Sequence, residues 1–233
     1  MSQNQIISVI DYGAGNIGSI VNMIKKIGGE ARTISTAEDV ISATKLILPG
    51  VGHFDFGMKS LNESGMKQAL DEAVQKNGIP ILGICLGAQL MCKSSQEGNT
   101  PGLGWFDADV LSFRKEWEMS GILSNLQPVK ESEIETRPST KKNNRLRVPH
   151  MGWNYVDTKK ECLVTHDLPD NPRFYFVHSY YIHSNRPEDI MFETAYGNRF
   201  ASGLHHENKY AVQFHPEKSH KFGLKLFENF LNL

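Results

Sequence analysis

Apolar and polar positions along the first half of the chain follow a repeating strand–helix rhythm. Ile6 to Ile10 is a short, nearly continuous apolar run, the pattern of a strand buried on both faces. A glycine-rich turn follows. Apolar residues spaced three and four apart from Ile17 to Ile27 then predict an amphipathic helix. The same reading predicts a strand near Ala31 to Ile34, a helix near Ala37 to Ala43 and a strand at Lys45 to Leu48. A helix around Met66 to Val74 precedes the apolar run Ile79-Pro80-Ile81-Leu82. Such alternation predicts an α/β fold, a parallel sheet with helices on both faces, and it places active groups at the carboxyl ends of the strands.

The second half reads differently. Short β-like runs at Phe174 to Val177, Phe192 to Ala195 and Tyr210 to Phe214 precede a closing helix from about Lys221 to Leu231, so the sheet is expected to become mixed. Between Phe113 and Arg147 the chain is polar, with Glu116-Trp117-Glu118, Glu131-Ser132-Glu133 and Ser139-Thr140-Lys141-Lys142-Asn143-Asn144. Mixed charge and few apolar anchors mark it as a surface excursion. The expectation is a single domain, 1–233, with a polar insertion around 114–146.

Two segments carry candidate chemistry. In Gly83-Ile84-Cys85-Leu86-Gly87 a strand turns into a helix-like segment at a cysteine flanked by glycines two residues either side. That is the thiol version of the nucleophile elbow, which holds a side chain out at the end of a sheet and against the positive end of the next helix. Alone, the motif also suits a buried cysteine in an ordinary turn. Near the other end, Tyr210-Ala211-Val212-Gln213-Phe214-His215-Pro216-Glu217-Lys218-Ser219 puts an imidazole and a carboxylate two residues apart. In an extended segment their side chains point the same way, and a carboxylate beside a histidine orients its tautomer, the third-member role of a triad. Acyl transfer at such a site would use Cys85 as nucleophile, His215 as proton shuttle and Glu217 to hold the ring. The backbone N–H of Leu86, first after the nucleophile, is a candidate oxyanion donor.

These segments closely resemble the class I (triad) glutamine amidotransferases. The resemblance is sharper still to the branch that forms the glutaminase subunit of imidazole glycerol phosphate synthase. It is carried further by Asp11-Tyr12-Gly13-Ala14-Gly15-Asn16, Leu48-Pro49-Gly50-Val51-Gly52, Pro149-His150-Met151-Gly152-Trp153-Asn154 and Tyr175-Phe176-Val177-His178-Ser179-Tyr180-Tyr181. It implies a flavodoxin-like glutaminase fold that hydrolyses L-glutamine to glutamate and ammonia. The loop at Gly50, Val51 and Gly52 would supply the second oxyanion donor, from Val51 or Gly52 after a backbone flip. Gln89, Glu97 and Gly52, with backbone of His178, Ser179 and Tyr180, would hold the ends of glutamine; His178 itself reads as a structural histidine. The implied partner is a (β/α)8 barrel cyclase, HisF-like, in a heterodimer that channels ammonia for histidine biosynthesis. Asn16, Trp153, Tyr175 and Lys218 would lie at that interface.

Composition narrows the field. A net charge of −1 gives no sign of a nucleic-acid or anionic membrane surface. The polar lead Met1-Ser2-Gln3-Asn4-Gln5 lacks a secretory apolar region, and no run is long enough to span a bilayer, so a cytoplasmic protein is expected. Three cysteines at unrelated spacings argue against a disulfide framework or a zinc site; Cys92 and Cys162 read as packing residues, and neither metal nor cofactor is expected. One alternative keeps the same site but delivers ammonia to a sugar-amidating enzyme of cell-surface polysaccharide synthesis. A γ-glutamyl hydrolase or peptidase, or a non-catalytic binding subunit, would be further readings. The oxyanion loop and Gln89 weigh against the first and the complete triad against the second.

Overall fold

A computed structural model describes residues 6–121 and 146–233. The polar lead and residues 122–145, which hold most of the polar stretch, lie outside the described residues. The chain runs β1 (Ile6–Ile10), α1 (Ile17–Lys26), β2 (Glu30–Ile34), α2 (Ala37–Ile41), β3 (Leu46–Leu48), α3 (Phe54–Glu63) and α4 (Met66–Leu70). After a π-helical stretch, Asp71–Lys76, come β4 (Ile81–Ile84), α5 (Leu86–Leu90), β5 (Ser94–Ser95), β6 (Ala108–Ser112) and α6 (Phe113–Met119). The remainder comprises β7 (His150–Tyr155), β8 (Asp157–Thr158), β9 (Arg173–His178), β10 (Tyr180–Ser184), β11 (Ile190–Tyr196), β12 (Asn198–His206), β13 (Lys209–Val212) and α7 (His220–Leu231).

Among the described residues the main sheet is mixed and ordered β2-β1-β3-β4-β13-β12-β10-β6-β5, with β11 and β8 extending from β12. Strands β2, β1, β3, β4 and β13 are mutually parallel, whereas β12 and β10 run antiparallel to their neighbours. Side chains on a strand alternate between faces. Leu46 and Leu48 accordingly pack into one core with Val40, Met58, Leu61 and Leu70, whereas Ile47 joins the other with Ile20, Ile24, Leu226 and Phe230. Helices therefore cover both faces, as the pattern predicts.

Two differences from the sequence reading have plain causes. Helix α3 went unpredicted, yet Phe54, Gly57, Met58 and Leu61 are buried at helical spacing. The start of the polar stretch is not an excursion. Residues 113–119 form α6, and Phe113 and Trp117 are fully buried, with Trp117 Nε1 donating to Asn198 Oδ1 at 3.3 Å. The charges of Glu116 and Glu118 outweighed two apolar residues four apart, which is one turn of a helix packing inward.

Candidate active site

Strand order builds the site. The central trio β3, β4 and β13 is parallel and in register, with Leu48 opposite Gly83 and Val212 opposite Ile84. The loop at Pro49–Gly52, Cys85 and the segment ending in His215 thus leave one edge of the sheet side by side. Cys85 has φ +54°, a conformation disfavoured for a residue with a side chain, and is held there by its N–H donating to the Val212 carbonyl at 2.8 Å. The flanking glycines are packing requirements. A Cβ on Gly83 would lie 2.4 Å from Met91 Sδ, and one on Gly87 would lie 1.9 Å from the Leu48 carbonyl oxygen. A Cβ on Gly50 would fall 2.6 Å from the Tyr12 hydroxyl. That hydroxyl donates to the Pro49 carbonyl at 2.7 Å, and burial pushes its pKa well up.

A cleft of about 350 Å³ opens beside the elbow, lined by Val51, Gly52, Cys85, Leu86, Gln89, Glu97, Ser179, Tyr180, His215 and Lys218 among others. Gly50 lies behind this wall, and Glu217 lies behind His215. His215 is 2% exposed, and its Nδ1 sits 2.7 Å from Glu217 Oε1. Burial alone would lower the His215 pKa; the Cys85 sulfur and the Glu217 carboxylate outweigh it and hold it up to about 10. Their convergence is not that of an extended segment, as the spacing suggested. Pro216–Lys218 forms a 3₁₀ turn that folds Glu217 back onto the imidazole, while His215 N–H is anchored on the Tyr175 carbonyl at 2.8 Å.

Glu97 Oε2 accepts the N–H of Phe54 at 2.9 Å, so part of this carboxylate caps α3. The Leu86 N–H is engaged by the Gly50 carbonyl at 3.3 Å. Asn16, Trp153 and Tyr175 lie away from the cleft wall. Asn16 is exposed and accepts from Ser19 Oγ, and Trp153, 38% exposed, stacks on His220 at 5.4 Å. Lys218 reaches over the Tyr175 ring at 5.8 Å and joins this surface to the cleft. Along β7, Met151, Trp153 and Tyr155 all face outward.

Three polar residues were not singled out from sequence as site groups. Asn154 Nδ2 lies 3.2 Å from His150 Nε2, His150 Nδ1 lies 2.9 Å from His178 Nε2, and His178 Nδ1 lies 2.7 Å from the Tyr180 carbonyl. Asn154 Nδ2 also donates to the Ala195 carbonyl at 3.0 Å, which settles which end of the amide is nitrogen. Both imidazoles are therefore assigned as neutral Nδ1–H tautomers. Burial, then the neighbouring His178, holds His150 down to about 2. Burial holds His178 down to about 4 against the Tyr180 hydrogen bond. The third residue is Gln213, fully buried in the apolar run before His215. A polar amide in such a run is the signal that sequence reasoning passed over.

This fold and site are those of a class-I glutamine amidotransferase: that family's model matches residues 8–233, and the chain belongs to it. Similar curated proteins include two that carry one subunit name. Imidazole glycerol phosphate synthase subunit HisH 2 of Pseudomonas aeruginosa is 42% identical over 228 residues, spanning 98% of this chain and all of that protein (100%). The HisH 2 subunit of Methanococcus maripaludis is 44% identical over 226 residues, covering 97% of this chain and 98% of the relative. Among solved structures, PurLQS from Thermotoga maritima superposes with a TM-score of 0.68 at 14% identity, covering 99% of both chains. That likeness speaks to the fold. No helix of the described residues is long and apolar enough to cross a membrane.

Proposed function

We propose that this chain is the glutaminase subunit of an imidazole glycerol phosphate synthase, hydrolysing L-glutamine and passing the ammonia to a cyclase subunit in histidine biosynthesis. The observation that carries the chemistry is the meeting of Cys85 with the His215–Glu217 pair in one cleft, on three parallel strand ends. His215 takes the proton of the Cys85 thiol. The thiolate adds to the carboxamide carbon, the C–N bond breaks, and His215 gives its proton to the departing ammonia. Water then attacks the thioester with His215 as base, releasing glutamate and restoring the thiol. Gln89, Glu97 and the backbone of Ser179 and Tyr180 hold the amino-acid end of the substrate. Leu86 N–H and a backbone N–H of Val51 or Gly52 bind the oxyanion.

The acceptor chemistry belongs to a (β/α)8 barrel partner in a cytoplasmic heterodimer. The outward row Met151, Trp153 and Tyr155, continued by Tyr175 and Lys218, suits that contact, because exposed aromatics anchor protein interfaces. The relatives carry the histidine-pathway name, and no observation favours the surface-sugar partner. The test is to mix the chain with the cyclase subunit, follow complex formation, and measure imidazole glycerol phosphate made from glutamine and from ammonium salt. Product from ammonium salt alone, with the two chains assembled, would refute the glutaminase assignment. Failure to assemble would refute the partner.

A further inference from the structure

Gln213 lies directly behind the nucleophile, and the polarity of its amide is set by a series of hydrogen bonds. The series is anchored at the Tyr180 carbonyl, a pure acceptor whose direction is fixed by the His178 Nδ1–H at 2.7 Å. Gln89 Nε2 donates to that carbonyl at 3.2 Å. Turned the other way, Gln89 would set its own oxygen against the carbonyl oxygen. The same Nε2 donates to Gln213 Oε1 at 3.0 Å. Turned the other way, Gln213 would face two donors together. The remaining end of Gln213 is therefore its Nε2, and it faces Cys85 Sγ at 3.9 Å.

The strand itself does not call for an amide at this position. Gln213 is fully buried, its backbone N–H is satisfied by the Ser202 carbonyl at 3.0 Å, and its neighbours Val212 and Phe214 are apolar core residues. A methionine would fill similar space without desolvating an amide. The amide instead spans from Gln89 to the sulfur. It belongs to β13, the strand that also delivers His215, so it is carried on a rigid element rather than a loop.

We propose that Gln213 is a further catalytic residue of this site, donating its side-chain N–H to the Cys85 thiolate, with Gln89 as the positioning residue that aims it. The inference rests on Cys85 being the nucleophile of the proposed glutaminase. Gln89 thereby couples the substrate pocket to the sulfur, since one amide nitrogen serves both the Tyr180 carbonyl and Gln213.

Iodoacetamide alkylation of Cys85 in the full chain tests this without glutamine or partner. Rates are followed by mass mapping across pH in the wild type, Gln213→Met and Gln213→Glu. The other groups around the sulfur stay constant across the series: His215, His178, Glu97 and Lys218 in the cleft, and Tyr12 behind it. Loss of a donor to an anion is expected to slow alkylation of Gln213→Met at neutral pH by about tenfold and to move its pH profile up by about one unit. Gln213→Glu, of the same shape, should move it further in the same direction because a carboxylate opposes the thiolate. A Gln213→Met profile that overlays the wild type would overturn the proposal and leave Gln213 as a strand-packing residue. If Gln213→Glu does not fold, the methionine variant alone decides. Failure of the glutaminase reading would appear separately, as a wild type whose Cys85 alkylation is not slowed by added glutamine.

Discussion

The Gly50 carbonyl accepts the Leu86 N–H at 3.3 Å, so the N–H proposed as the first oxyanion donor is already engaged. In this state that N–H is not free for an oxyanion. A turn of the Gly50–Val51 peptide would withdraw the carbonyl and present the Val51 N–H. Val51 is exposed and Gly52 has φ +105°, so the loop has the room and backbone freedom for that turn. The isolated chain is expected to hydrolyse glutamine slowly and to be stimulated by about 100-fold when its partner carries acceptor substrate, the usual worth of one oxyanion donor. Steady-state glutaminase assays with and without partner measure this. Full activity in the isolated chain would rule out an occupied donor as the resting state.

Cys85→Ala is expected to lower glutamine-dependent turnover by at least ~10³-fold while sparing synthesis from ammonium salts, if the acceptor site lies on the proposed partner chain. Paired assays with the two nitrogen sources check it. Equal loss with both would mean the substitution damages assembly rather than hydrolysis.

A diazo-ketone analogue of glutamine should label Cys85 and spare the other thiols. Cys92 is fully buried, its pKa pushed well up by burial and by Asp109, and Cys162 packs its sulfur 3.5 Å from Met191 Sδ, outside the cleft. Peptide mapping gives the answer directly. Label concentrated on Cys92 or Cys162 would contradict this placement of the nucleophile.

The buried pair His150 and His178 should make the protein acid-sensitive. Unfolded, each ring binds a proton below about pH 6.5; folded, they resist until about 2 and about 4. Between pH 6.5 and 4 the unfolded state therefore holds more protons, and stability rises with pH. It falls on acidification by up to about 1.4 kcal/mol per pH unit for each ring. Urea unfolding at pH 6.0 and 4.5, a window in which His215 is protonated in both states, measures the slope. His150→Phe, which suits the stack between Phe176 and Tyr196, should flatten it, and an unchanged slope would show that His150 does not resist protonation.

Trp117→Ala should destabilise the fold by about 3–5 kcal/mol, as truncation of a buried tryptophan does. The side chain is fully buried, and a Cβ on Gly197 would lie 2.8 Å from its Nε1, so the helix is packed closely against the turn after β11. Urea denaturation checks this, and a loss below about 1 kcal/mol would return α6 to the surface.

Features that depend on near neighbours can be read along the chain. Periodicity of two or three to four located most of the parallel half, because burial of one face leaves its period in the chain. Gly83, Cys85 and Gly87 marked the elbow, because only small residues tolerate the approach of the Leu48 carbonyl and Met91. His215 and Glu217 were legible as a pair once read together with the elbow, although a 3₁₀ turn and not an extended segment brings them together. Features that depend on which strands meet cannot be read that way. Cys85 and Gln213 are 128 positions apart, and only the pairing of β4 with β13 brings them together. The 3₁₀ turn at Pro216, the direction of the Gly50 carbonyl and the ordered tautomers of His150 and His178 likewise have no local code. A carbonyl or an amide can point either way at similar local energy. The choice is made by partners that arrive only when distant segments pack, since a buried donor or acceptor left unpaired costs about 1–3 kcal/mol. Trp117 was hidden for the same reason: its charged neighbours set the local average, but the cavity beside Asn198 and Gly197 is built by strands far along the chain.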